Sequence, residues 1–116
     1  MTGGASTPTL WAVTPERIQE AMRRIVQTAH PRAVLLFGSH ARGDAKPHSD
    51  IDLMVLEEGP ADPAAEAVRL REAVGRVLMA IDIVVVTREQ FEYWKDTPGN
   101  VYYEAAQDGR TLYEAD

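Results

Sequence analysis

Three aspartates stand among residues that make a carboxylate costly, and their spacing decides what chemistry they can do. Asp50 and Asp52 are two apart at the head of the run Ile51-Asp52-Leu53-Met54-Val55-Leu56. In a strand both carboxylates then point to one face, while Ile51, Leu53 and Val55 point to the other and supply a core. Asp82 sits inside Ile81-Asp82-Ile83-Val84-Val85-Val86, a run otherwise made only of β-branched residues, the pattern of a strand covered on both faces. A carboxylate buried there without compensation would sooner take up a proton than stay charged. A cation shared with neighbouring carboxylates supplies that compensation, and adjacent strands would bring Asp82 to Asp50 and Asp52. Oxygen donors in a chain with no Cys suit a hard ion such as Mg²⁺, with Mn²⁺ as the alternative. Three aspartates can bridge two such ions about 3.5–4 Å apart, an arrangement suited to in-line displacement at phosphorus.

A second group lies upstream. Gly38-Ser39 directly follows the apolar run Ala33-Val34-Leu35-Leu36-Phe37 and precedes a short helical turn around Ala41. Glycine lets a phosphate approach the backbone, and the N–H groups that follow, with the Ser39 hydroxyl, can cradle it. Arg42 lies one turn on; it is read either as a phosphate contact or as the ion-pair partner of Asp44 or Glu57. Lys46 and His48, on the loop leading to Asp50, are weaker contributors, and His48 reads more simply as a solvated loop residue. Seen alone, Gly38-Ser39 would be a strand-ending turn and Asp50 a loop cap; their distance from one another makes them a set.

These residues need a compact scaffold to position them. The chain has 116 residues, enough for one domain with a small sheet and a few helices. Residues 1–9 are small, polar and rich in Gly and Pro and are expected to be disordered; residues 10–116 are expected to form the single domain, beginning to dock at Leu10 and Trp11. Thr14-Pro15-Glu16 reads as a helix start, and Ile18, Ala21, Met22, Ile25, Val26 and Ala29 give it one apolar face as far as His30-Pro31. The two apolar runs before Gly59-Pro60 lie too close in sequence for a helical crossover, so antiparallel pairing is expected. Asp62-Pro63 starts a helix with Val68, Arg71, Val74, Val77 and Leu78 on roughly one face. That crossover places the third strand parallel to the second. Thr87 caps a short helix with Phe91 and Trp94, Asn100 caps another that stops at Gly109, and Arg110 to Glu114 returns as an edge strand. The expected class is α/β, in its α+β form: a small mixed sheet with helices packed on one face and the acidic site on the other.

The charge balance narrows the partners. With 18 acidic against 12 basic residues, the net charge of -6 argues against direct binding of nucleic acid, which needs Lys and Arg to neutralise phosphates. No apolar run has the length of a membrane span and the first residues lack the pattern of a signal peptide, so no membrane association and a cytoplasmic location are expected. Trp11, Trp94, Tyr102, Tyr103 and Tyr113 read as core or partner-contact residues, and Glu57-Glu58 and Glu114 to Asp116 as solvated surface.

Gly38-Ser39, ten residues, then Asp50-Ile51-Asp52 resembles the signature of the DNA polymerase beta-like nucleotidyltransferase superfamily. The string GSHARGDAKPHSDIDLMVL is similar to the minimal nucleotidyltransferases, Asp82 in IDIVVV matches their third acidic position, and DGRTLYE looks like their usual C-terminus. The likeness covers roughly residues 33–87. It implies a polymerase beta-like core acting on ATP with two divalent ions, in which Asp50, Asp52 and Asp82 are catalytic metal ligands and Gly38, Ser39 and Arg42 bind the nucleotide. It also implies an MntA-type antitoxin paired in a hetero-oligomer with a HEPN-domain toxin, onto which AMP is transferred at a tyrosine hydroxyl. Two other functions stay open: transfer to a small molecule, and a non-catalytic antitoxin that masks its partner.

Overall fold

The computed structural model describes residues 13–46, 49–59, 62–78 and 80–115. The segment 1–9, Leu10, Trp11 and His48 lie outside them. Helix α1 (Pro15–Ala29) starts as its sequence predicts: Thr14 is extended, its hydroxyl accepts the Arg17 N–H at 3.2 Å, and Pro15 opens the first turn. His30 ends it in the left-handed conformation, φ 48°. Ala21 and Ile25 are fully buried, with Ile18, Met22, Val26 and Ala29 packed around them.

Four strands form one sheet in the order β3-β2-β1-β4. Strand β1 (Ala33–Phe37) runs antiparallel to β2 (Ile51–Glu57), as the short connection requires. The crossover helix α3 (Pro63–Val74), capped by Asp62 on the Ala65 N–H, leads to β3 (Ile81–Thr87), which is parallel to β2. The last strand, β4 (Arg110–Glu114), closes the other edge antiparallel to β1. Between β3 and β4 lie two short helices. A capping box of Thr87 and Gln90 starts α4 (Arg88–Trp94), and Asn100 caps α5 (Val101–Asp108) by accepting the Tyr103 N–H at 2.8 Å.

The predicted face of α3 is rotated in the structure. Leu70 and Val74 are buried with Ala67 beside them, whereas Val68 is 45% exposed and Arg71 points to solvent. Positions 67, 70 and 74 follow the i, i+3, i+7 stripe of a helix, and Val68 lies about 100° around from it. Two arginines tie α3 to α1: Arg24 Nη1 donates to the Val74 carbonyl at 3.1 Å and Arg69 Nη1 to that of Thr28 at 3.3 Å.

Helices cover both faces of the sheet, not one. The larger core joins α1 and α3 to Val34, Leu36, Ile51, Leu53, Val55, Ile81, Ile83 and Val85. On the opposite face Leu35, Phe37, Met54, Leu56 and Val86 form a second, smaller core with Phe91, Val101, Tyr102 and Ala105 of α4 and α5. These short helices cover only part of that face, and the open part holds the aspartates. Gly109 ends α5 with φ -72°, so it is not a left-handed cap; a side chain there would collide with the Ala105 carbonyl. The aromatic side chains divide in two: Tyr102, Tyr103 and Tyr113 are partly buried, while Tyr93 and Trp94 stand out from α4 with ring centroids 4.8 Å apart. Among the described residues no helix is long and apolar enough to cross a membrane.

Candidate active site

The parallel register of β2 and β3 sets Asp52 directly opposite Asp82, and the antiparallel register of β1 sets it opposite Phe37. Side chains alternate along a strand, so Asp52 and Asp82 share the face of Met54 and Val86, at the end that α4 and α5 leave open. Asp50 immediately precedes β2, and the Ile51 N–H donates to the Ala80 carbonyl at 2.9 Å, which aligns the starts of both strands. One strand end therefore receives all three aspartates.

Their burial is the reverse of what the sequence suggests. Asp82, expected inside a doubly covered strand, is exposed, as is Asp50; Asp52 is the half-buried one. Strand β3 is an edge of the sheet, and the short α4 and α5 shield Val84 and Val86 on this face without reaching Asp82. The desolvation expected for Asp82 falls on Asp52. Burial pushes the Asp52 carboxyl above the usual carboxylate range, followed by the negative charges of Asp82, Asp50 and Glu104, with His40 pulling weakly the other way. Among the described residues no three His, Cys, Asp or Glu side chains stand close enough together to hold a metal ion as placed. The donor set nevertheless fits a hard cation: it consists of carboxylate oxygens, and Asp52 is crowded by like charge with only an imidazole to offset it.

Gly38 supplies the opposite wall. It has φ 77° and ψ -159°, a conformation suited only to glycine, and a Cβ at this position would overlap the Asp52 carboxylate. Gly38 thus serves the packing of an aspartate as well as any approach of phosphate. Helix α2 (Ser39–Arg42) begins here: the Gly38 carbonyl accepts the N–H groups of Ala41 and Arg42, both at 3.1 Å. The N–H groups of Ser39 and His40 have, as at any helix start, no acceptor within their own helix, which leaves them suited to an anion.

Two residues that the sequence reading did not single out join the site. His40 Nε2 donates to the Ser49 carbonyl at 3.0 Å, tying α2 to the residue before Asp50. The Lys46 N–H donates to Ser49 Oγ at 2.9 Å and the Ser49 N–H to the Lys46 carbonyl at 3.0 Å, closing the same loop. Glu104, from α5, reaches Arg42 across the open end of the sheet with Nη1 to Oε1 at 3.1 Å. Arg42 also holds Asp44 at 3.3 Å, one of its two expected partners. Glu57, the other, stands at the far end of β2, and contrary to expectation it is not a solvated residue. Its Oε2 is buried without a hydrogen-bond partner, and burial, then the Glu66 carboxylate beside it, push its carboxyl up to about 7. A periodicity argument finds neither the Arg42–Glu104 pair nor the burial of Glu57 beside Glu66, because each joins residues from unrelated elements. A separate cavity of about 240 Å³, lined by Leu35, Leu56, Phe91 and Ala105 under Arg32 and Arg88, contains none of the candidate site residues.

Fold and site together define an α/β protein that presents aspartates and a glycine-led turn at one strand end. The nucleotidyltransferase domain family matches residues 16–110, and the chain belongs to that family. Its fold is similar to a candidate nucleotidyltransferase from Sulfolobus solfataricus, with TM-score 0.58 and 18% identity over 85% of this chain and 78% of that one. It is also similar to a toxin–antitoxin structure with AMP-PNP, with TM-score 0.54 and 19% identity over 84% and 73% of the two chains. A third likeness, with TM-score 0.53 and 18% identity over 84% and 73%, is to the toxin–antitoxin MntA-HpeT, in a mutant with two aspartates, two positions apart, changed to glutamate. At these identities the likenesses show a shared fold. No curated protein matches the chain.

Proposed function

We propose that this chain transfers AMP from ATP to a hydroxyl, a tyrosine hydroxyl, on a HEPN-type toxin with which it forms a hetero-oligomer as antitoxin. The observation that carries the reading is the register: Asp52 lies opposite Asp82 on one side, with Gly38 at the end of β1 against its carboxylate on the other. The toxin–antitoxin identity of two structures of the same fold, one of them with AMP-PNP, supports the choice of partner and nucleotide.

In this reading the N–H groups after Gly38 and the Ser39 hydroxyl hold the β- and γ-phosphates, with Arg42 in support. Asp50, Asp52 and Asp82 would hold the divalent ions, Mg²⁺ being the expected metal. Bound there, such ions would lower the pKa of the acceptor hydroxyl and neutralise charge on the triphosphate. The acceptor oxygen bonds to the α-phosphorus, the bond from that phosphorus to the bridging oxygen breaks, and pyrophosphate leaves. In this reading Asp82 takes the acceptor's proton, and its exposure at the sheet edge supports access for a side chain of another protein.

The test is intact-protein mass spectrometry of the cognate toxin after incubation with this chain, ATP and Mg²⁺, beside a control carrying Asp52→Asn. Mass added in steps of one adenylate, only with the unmutated chain, is the expected result. No added mass, with a complex formed equally well by both versions, would replace transfer by masking.

A further inference from the structure

Helix α2 is a poor platform on its own. It has four residues, lies between Gly38 and Gly43, both at positive φ, and buries no side chain. Its fourth residue, Arg42, is nevertheless held from two sides, by Asp44 in the next loop and by Glu104 on α5. The pair with Glu104 spans 62 residues of sequence, whereas pairs such as Glu20–Arg24 and Glu66–Arg69 lie within one helix.

The Arg42–Glu104 pair adds little to the fold. Its side chains are 38% and 42% exposed, and exposed pairs of this kind contribute little to stability. Helix α5 is anchored without it, through Val101, Tyr102 and Ala105 in the second core. What the pair does is place a guanidinium. It brings the charge of Arg42 to a cleft also lined by Asn100, Tyr103 and Gln107, one turn from Gly38, whose backbone lies against the Asp52 carboxylate. It also gives the arginine a partner other than those aspartates, so that the guanidinium does not become their counter-ion.

We propose that Glu104 is a positioning residue for the nucleotide: from α5 it fixes the Arg42 guanidinium, and with it the turn beginning at Ser39, where a triphosphate is received. This rests on the reading of the strand end as a nucleotidyl-transfer site. Fixing the guanidinium beforehand removes an ordering cost that the nucleotide would otherwise meet on binding.

The experiment measures binding of AMP-PNP with Mg²⁺ by calorimetry, and KM and kcat for transfer from ATP, for the unmutated chain, Glu104→Gln, Glu104→Asp, Arg42→Ala and the double variant Arg42→Ala/Glu104→Gln. Glu104→Gln should weaken AMP-PNP binding and raise KM by about fivefold to twentyfold, with a smaller change in kcat and an unfolding temperature close to that of the unmutated chain. Glu104→Asp should recover most of the affinity. The double variant should be no weaker than Arg42→Ala, because Glu104 acts through Arg42. Unchanged affinity in Glu104→Gln, or additive losses in the double variant, would overturn the proposal while leaving the transfer reading intact. Failure of the unmutated chain to bind AMP-PNP would overturn both, and unimpaired transfer by Asp52→Asn would move the catalytic site without touching the Glu104 result.

Discussion

The parallel strands β2 and β3 begin among crowded carboxylates, and β2 also ends among them, but the two ends treat the crowding differently. At the far end Glu57 meets Glu66, and the chain resolves the conflict itself. Arg69 pairs with Glu66 at 2.8 Å and holds its carboxyl below the usual range, while Glu57 is left to keep a proton. At the near end burial raises the Asp52 carboxyl and the charges of Asp82, Asp50 and Glu104 raise it further; Arg42, the arginine of this end, is turned to Glu104 and Asp44. A cluster compensated from within is structural; one left to be compensated from outside is suited to a ligand. The separation between a fold-supporting pair and a candidate site is thus one of where the arginine points.

Breaking each end should therefore give opposite results. Asp52→Asn is expected to lower transfer by more than about a hundredfold, since even groups that only orient metal ligands matter at the tenfold to hundredfold level. It should leave the unfolding temperature in EDTA unchanged or higher, because it relieves like-charge crowding. Retained transfer, or a collapse in unfolding temperature, would place Asp52 among the structural carboxylates. Gly38→Ala should cost about 1–3 kcal/mol in denaturant unfolding, from the strained φ and the overlap with Asp52, and should also weaken nucleotide binding.

The far end sharpens the comparison through pH. The Glu57 carboxyl titrates at about 7 in the folded chain against 4.5 as its ordinary value, so between those values the folded state holds a proton that the unfolded state has released. Its contribution to stability therefore falls as pH rises through this window. After discounting for partial exposure, Glu57→Gln should remove a slope worth about 1 kcal/mol. Urea unfolding at pH 5 and pH 8 would show it, and an equal slope in both proteins would contradict the raised Glu57 carboxyl. The smallest effect belongs to Val68, which is 45% exposed on α3. Val68→Ser should change stability by no more than about 0.5 kcal/mol, whereas Leu70→Ala, in the core, should cost about 2–5 kcal/mol.

By itself the sequence determined whatever depends on near neighbours. Thr14, Asp62, Thr87 and Asn100 each cap the helix they announce, because a cap bonds an N–H within the first turn. The strands and their relative directions were legible from β-branched runs and connection lengths, and the alternation of Asp50 and Asp52 with Ile51 and Leu53 was enough to nominate a site. Only the tertiary structure decided which aspartate is half-buried, why Gly38 must be glycine, that Arg42 faces Glu104, and that Glu57 is drawn into a buried setting beside Glu66. The reason is physical: edge position, helix coverage and the partner of a long charged side chain depend on which distant elements arrive alongside, and no local period encodes that. Val68 marks the boundary, since a one-residue error in a helical face is about 100° of rotation, and only packing against the sheet removes it.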